Sequence, residues 1–291
     1  MRKINSGFAA ALIFILAVNM QAAQSFSVVT EGAVPERLDV PYVPTPDEIV
    51  DEMIRMAGIT EKDIVYDLGC GDGRIVIAAT RKTGARGVGV DIDPDRIAEC
   101  LVNAKEARVG DKVKFIQQDL FKTDFSEATV LALYLLPELN VKLRPRILNE
   151  LKPGSRVISH NYSMGDWLPD KARHMDGGHT IYLWTVPANV GGTWDCRLKN
   201  EGARIYSKRT LKLDQGYQIV TGSISAPGGP AAISNVRLNG ADLSFTLYQK
   251  GPQGNESFVF RARVKGNALE GTFQSAGGKP VRGTWKARRG D

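Results

Sequence analysis

The chain has 291 residues, of which 43% are hydrophobic, 24% charged and 8% aromatic, a globular composition that excludes disorder, collagen and coiled coil. At roughly 100 to 200 residues per domain this is one large or two modest domains, and the only long apolar run lies in the first 24 residues, which excludes a polytopic membrane protein. Three scattered cysteines, Cys70, Cys100 and Cys196, give neither a disulfide scaffold nor a C-x-x-C zinc site, so no metal is expected. The net charge of +6 is unevenly divided: residues 190–291 hold 16 Lys and Arg against 7 Asp and Glu, and residues 1–189 hold 22 against 25. Those C-terminal cations either solubilise strands and blunt their edges or meet an acidic surface such as anionic lipid headgroups.

Arg2 and Lys3 precede the apolar run Phe8 to Val18, and Ala22, Ala23 and Ser25 follow it. As a helix this run reaches about 16 Å, short of a bilayer core of about 30 Å. Residues 1–24 therefore read as a secretory signal, which implies export to a periplasm or medium. The alternative is an uncleaved anchor on a membrane-associated enzyme facing the cytoplasm, because Met20 or Gln21 occupies a position where cleavage wants a small residue. Residues 25–44, with Pro35, Pro41 and Pro44, read as an extended lead-in.

A domain spanning 45–187 follows. Thr45-Pro46-Asp47-Glu48 reads as a capping box with proline at the first helical position, opening a helix that carries Ile49, Val50, Met53 and Ile54. Strand-like runs then alternate with helical stretches: Ile64 to Leu68, Gly87 to Ile92, Val113 to Gln117, Thr129 to Leu135 and Arg156 to His160. Alternation of this kind predicts a parallel sheet covered by helices on both faces.

The first strand feeds Asp67-Leu68-Gly69-Cys70-Gly71-Asp72-Gly73, a turn with glycine at every second position that opens a helix through Ile75 to Ala79. Glycine lets the backbone bend sharply and approach a ligand, and the helix N-terminus adds free N–H groups. The second strand ends in Asp91, 20 positions after Gly71, where a carboxylate accepts hydrogen bonds from the hydroxyls of a ribose. Asp93-Pro94 caps the next helix. The third strand ends at Gln118-Asp119-Leu120 and sets Asp119 at the sheet edge, near an adenine amino group. A dinucleotide turn reads G-x-G-x-x-G and meets a pyrophosphate; here the turn is G-x-G-x-G and follows Asp67. An acid at that point repels pyrophosphate and suits a sulfonium and an ammonium, the charges of S-adenosylmethionine.

With these residues the chain resembles the class I S-adenosylmethionine-dependent methyltransferases, whose sheet is Rossmann-like. Pro41-Tyr42-Val43-Pro44-Thr45-Pro46, Tyr134-Leu135-Leu136-Pro137, Ser159-His160 and Asp166-Trp167 are further similar to the membrane-associated protein-lysine N-methyltransferases that act on ATP synthase and on the adenine nucleotide translocase. That likeness covers about residues 40 to 186. It implies a methyltransferase of class EC 2.1.1, with cofactor contacts from Asp67, Gly69, Cys70, Gly71, Gly73, Asp91, Ile92, Asp119, Leu120, Tyr42 and Thr45. Tyr42 would fold over the cleft, and Thr45 either joins it or serves only its helix. Tyr134, at the end of the fourth strand, either orients an amine through its ring and hydroxyl or packs in the core. His160 either takes a proton or organises its loop; His174 and His179 receive no role.

Residues 190–291 carry 16 of the 30 glycines and short runs (Tyr217 to Ile224, Leu243 to Gln249, Ser257 to Val264, Val281 to Ala287) that predict an antiparallel all-β domain, a sandwich or a small barrel. Trp194, Phe273 and Trp285 each stand two residues after a glycine and read as packing aromatics. The functional expectation is methyl transfer to lysine of a membrane-associated protein, with association at a membrane surface and no nucleic-acid partner. The alternatives are a small-molecule or lipid methyltransferase, and an exported non-catalytic binding protein on the same fold.

Overall fold

The computed structural model describes residues 28–30, 42–202, 206–251, 254–276 and 281–290. The leader, residues 1–24, lies outside the described residues. Of the lead-in, Val28–Thr30 forms a strand, β1, which pairs in parallel with β4 (Val113–Gln117). Part of that segment is therefore sheet, added to an otherwise open edge.

The N-terminal region is an eight-stranded sheet in the order β1-β4-β3-β2-β5-β6-β8-β7. Its centre comprises β2 (Ile64–Leu68), β3 (Arg86–Asp91), β5 (Val130–Leu133) and β6 (Arg156–His160), all parallel. Strands buried on both faces must be apolar throughout, which is why these runs stand out in the sequence. Val65 faces one core with α1 (Asp47–Ala57), α2 (Arg74–Thr83) and α3 (Pro94–Glu106). Tyr66 and Leu68 face the other, with Leu143 and Ile147 of α4 (Pro137–Glu150) and the indoles of Trp167 and Trp184. Two antiparallel strands, β7 (Lys171–His174) and β8 (Thr180–Thr185), finish the sheet; all four residues of β7 are exposed, so no apolar period announces it.

Two expected caps differ in outcome. Asp93 caps α3, its carboxylate accepting the Asp95 N–H at 2.9 Å behind Pro94 at the first position. The capping box at Thr45 does not form: the cap residue of α1 is Pro46, no side chain caps the helix, and the Thr45 hydroxyl bonds His160 instead.

Residues 192–289 form a closed antiparallel barrel of eight strands: β9 (Gly192–Asn200), β10 (Ser207–Gly216), β11 (Ile219–Ala226), β12 (Gly229–Asn239), β13 (Asp242–Gly251), β14 (Gly254–Lys265), β15 (Ala268–Ser275) and β16 (Arg282–Arg289). Strand β16 returns to β9 and removes the open edge. Eight strands leave an interior that side chains can fill. Here Trp194, Phe245, Phe260, Phe273 and Trp285 are buried, Phe245 stacks on Phe260 at 4.9 Å, and Trp285 meets both edge-on. Large rings require the wall to come close elsewhere. A Cβ on Gly271 would stand 1.8 Å from the carbonyl oxygen of Arg261 on the neighbouring strand.

The apolar cores divide between Val186, which packs with the sheet, and Ala188, which packs with the barrel. The join is made by the turn between β10 and β11. Tyr217, with φ +58°, stacks on Trp167 at 6.0 Å and donates to Asp166 at 3.0 Å, while Trp167 Nε1 donates to Gln218 Oε1 at 2.9 Å. Asp166-Trp167 is thus the seat of the barrel. Because the cores are separate, Gly271→Val is expected to destabilise the barrel by about 3 kcal/mol, the upper range for overpacking. Calorimetry should show one of two unfolding transitions lowered and the other unmoved; a single transition shifted as a whole would mean a shared core.

Candidate functional site

The strand order reverses between β3-β2 and β5, and open α/β sheets bind ligands at the carboxyl ends of the strands at such a point. A cavity of about 240 Å³ lies there, at the ends of β2, β3, β4 and β5 and under the lead-in residues Tyr42 to Thr45.

Its floor is acidic. Asp67, the fourth residue of β2, is buried beside the cavity and makes no hydrogen bond through its carboxylate among the described residues. Burial, reinforced by the charges of Asp91 and Asp72, pushes its pKa well above the usual carboxylate range. Asp91 stands at the end of β3. Its Oδ2 accepts the Gly71 N–H at 2.9 Å and its Oδ1 accepts the Asp93 N–H at 3.0 Å. Burial raises its pKa against the pull of those donors. Asp72 behaves oppositely: burial alone would raise it, but the hydrogen bonds and charge of Arg74 outweigh burial and hold it low. The floor therefore holds two carboxylates with no cation of the chain beside them.

The lead-in is tied down onto this floor. Arg74 grips Asp72 through Nε and Nη2, at 2.9 and 2.6 Å, and donates from Nη1 to the Thr45 carbonyl at 2.9 Å. The Tyr42 ring lies over the glycine turn, with the Arg96 guanidinium 4.8 Å from its centre. Gly71, at φ +55°, is the residue that admits it, since a Cβ there would stand 2.4 Å from the ring.

The far end of the cavity is aromatic and apolar, lined by Tyr134, Tyr162, Leu135, Leu136, Leu139 and Phe121. Tyr134 and Tyr162 lie with ring centres 6.1 Å apart and planes 19° from parallel. Asn140 and Ser159 fix the Tyr162 loop, Asn140 Nδ2 donating to the Tyr162 carbonyl at 3.3 Å and Ser159 Oγ at 2.7 Å.

Ten of the thirteen expected residues line this one cavity: Asp67, Gly69, Cys70, Gly71, Asp91, Ile92, Leu120, Tyr42, Thr45 and Tyr134. Three do not. Gly73 begins α2, and its missing Cβ makes room for Phe115 and the Cys100 sulfur. Asp119 turns back on its own chain, Oδ1 accepting the Phe121 N–H at 2.8 Å, and Gln118 lines the cavity in its stead. His160 is wholly buried behind Tyr134, ring centres 4.0 Å apart, with Nδ1 at 3.2 Å from Thr45 Oγ1 and Nε2 at 2.9 Å from His179 Nδ1. Burial, with the neighbouring His179, lowers its pKa to about 4, so it is a neutral support with both nitrogens occupied. The expectations passed over Arg74, Arg96, Tyr162 and His179. Arg74 had a signal, standing directly after the last glycine of the turn; Tyr162 and His179 had none.

Residues 67–171 match the family model for the ANTKMT methyltransferase domain. A protein-lysine N-methyltransferase of Saccharolobus islandicus (strain REY15A) is 42% identical over 151 residues, half of this chain and 94% of that one. The chain belongs to the ANTKMT methyltransferase family. An ATP synthase lysine N-methyltransferase of Xenopus laevis is 31% identical over 162 residues, 55% of this chain and 70% of that one. Among solved structures, an RNA methyltransferase of Salinibacter ruber in complex with S-adenosyl-L-homocysteine is 53% identical, with a TM-score of 0.50, over 51% of this chain and 96% of that one. The enzyme is an S-adenosylmethionine-dependent methyltransferase, of class EC 2.1.1. In each comparison the barrel lies outside most of the matched length.

The cavity fits the cofactor on its own terms, because an unneutralised buried carboxylate selects a ligand that carries positive charge. Asp67 is protonated at a pH where an ordinary aspartate is ionised, and a bound cation would favour its ionised form. Cofactor binding should therefore release a proton at pH values below the raised pKa of Asp67, and affinity should rise with pH through that range. Calorimetry in two buffers of different ionisation enthalpy measures the release. Asp67→Asn should abolish it, and an equal release from the variant would assign the proton elsewhere.

Proposed function

We propose that the enzyme transfers methyl groups to the ε-amine of a lysine in a protein, with substrates at a membrane surface as its setting. The observation that carries this reading is the aromatic end of the cavity, where Tyr134 and Tyr162 stand without a carboxylate beside them. The names of the Saccharolobus and Xenopus relatives support it.

Asp67 and Asp91 would hold the ammonium and the ribose of the cofactor, and Tyr42 with Arg74 would cover it. Bound S-adenosylmethionine supplies the methyl group in activated form, so the chain's own task is alignment and exclusion of water. A lysine enters mostly as an ammonium of pKa about 10.4 and must lose a proton before it can attack. The apolar wall of Leu135, Leu136, Leu139 and Phe121 disfavours the charged form. The Tyr134 and Tyr162 rings receive the amine and orient its lone pair. Neutral His160 keeps Tyr134 and Thr45 in place.

Incubating the purified enzyme with methyl-labelled S-adenosylmethionine and fractionated membrane and soluble extracts tests the acceptor class. Label should appear in protein and, after hydrolysis, in methyl-lysine. Tyr162→Ala should keep cofactor affinity while lowering transfer by about a hundredfold, within the range of misaligned acceptors. Label recovered in RNA, as the name of the Salinibacter ruber protein would suggest, or in lipid or small molecules, would overturn the lysine reading.

A further inference from the structure

The barrel concentrates the positive charge of residues 190–291 on one face. Across β10, β9 and β16, exposed Lys208 stands directly opposite Arg197, and Arg197 directly opposite Lys286. Like charges set opposite each other weaken a sheet. Glu270 relieves Lys286 at 3.0 Å, but Arg197 and Lys208 have no ion pair among the described residues. The barrel's other ion pairs are Arg263 with Asp242, Lys265 with Glu270 and Arg282 with Glu201.

Beside this row, between β9, β10 and β11, is a hollow of about 360 Å³ lined by Arg197, Lys208 and Arg209, the hydroxyl residues Thr210 and Ser225, and one acid, Asp195. Arg209 is fixed there by donating to the Ser225 carbonyl at 3.0 Å. At the nearby end of β10, Tyr206 is 56% exposed and the Lys199 ammonium stands 5.6 Å from its ring centre.

We infer that this face of the barrel is a docking surface for an anionic phospholipid membrane, with a headgroup phosphate seated among Arg197, Lys208 and Arg209. Guanidinium forks and an ammonium match phosphate oxygens, and an anion there offsets the opposed like charges. Membrane-spanning barrels carry an apolar band outside and polar groups within. This barrel is the reverse, with Trp194, Phe245 and Trp285 inside and Lys and Arg outside, so it rests on the surface without entering the bilayer. Tyr206, with an apolar ring and a polar tip beside cations, suits the headgroup level. Single-stranded nucleic acid is held along grooves that track many phosphates and by rows of stacking rings; this hollow takes one phosphoryl group, and one exposed ring stands beside it. The inference concerns the barrel and is independent of which acceptor the active site takes.

Sedimentation of the full chain with vesicles tests it, comparing phosphatidylcholine alone with phosphatidylcholine containing about 30% phosphatidylglycerol, an anionic surface that attracts basic residues. At about 0.1 M salt, where screening acts over about 10 Å, binding to the anionic vesicles alone is expected. The double variants Arg197→Glu/Lys208→Glu and Arg197→Gln/Lys208→Gln should weaken binding at least tenfold, on the order of one such step per lost cation. Lys250→Glu, on the far strand β13, should leave it unchanged, and cofactor affinity should be equal in all variants, which verifies their folding. Equal binding to both vesicle types, binding to neither, or double variants that bind like the parent would overturn the inference. So would binding of inorganic phosphate or of polyuridylate through these cations without vesicle binding, which would assign the face to a soluble phosphate or to RNA.

Discussion

The site depends on one buried carboxylate that the chain does not neutralise. Asp67 sits at the end of the most central strand, with sheet on both sides, and every protein charge that affects its ionisation is negative. An acid in that position lowers the stability of the ionised free protein: its raised pKa means a stabilising proton is held at low pH and lost as pH rises through that value. The arrangement makes physical sense when a cationic ligand completes it. The same logic explains why the turn ends in a G-x-G-x-G pattern and why its one cation, Arg74, is committed to Asp72 and the lead-in and not to Asp67.

The second requirement is closure, and it comes from residues remote in sequence. Thr45, from the lead-in, joins His160, 115 positions later, which joins His179 and backs Tyr134. One buried cluster therefore connects the cover of the cavity to its acceptor end. The depressed pKa of His160 keeps the cluster uncharged near neutrality, so its hold on Thr45 does not vary with small pH changes there. The barrel attaches to the other side of the same region, through Trp167 and Tyr217, and leaves the cavity lining to the sheet domain.

What was legible in the sequence follows from how local each feature is. The central strands and the glycine turn could be read because continuous apolar runs and a tight turn are set by neighbours a few residues away. Asp91 was readable for the same reason, as a polar end to an apolar strand. Thr45 misled because its sequence context is a good capping box, yet a buried histidine from β6 takes its hydroxyl, a competition no local pattern reveals. Asp119 misled similarly, since an aspartate at a strand end caps its own turn as readily as it faces a ligand. Tyr162 and His179 needed the loop after β6 and strand β8 to be in place. In the second region the glycine and aromatic echoes signalled strands, but the four runs recognised were half of the barrel; β9, β10, β12 and β15 carry too many exposed polar or small residues to announce themselves.

The central claim, that an unneutralised acid at the end of β2 selects a positively charged nucleoside cofactor, is tested most directly by calorimetric titration. The parent chain and the Asp67→Asn variant would each be titrated with S-adenosylmethionine and with NAD. The expected result is that the parent binds S-adenosylmethionine and not NAD, and that the variant loses at least tenfold in affinity for S-adenosylmethionine, about what one charge-assisted hydrogen bond contributes. Unchanged affinity in the variant, or a parent chain that binds NAD as tightly, would contradict the account.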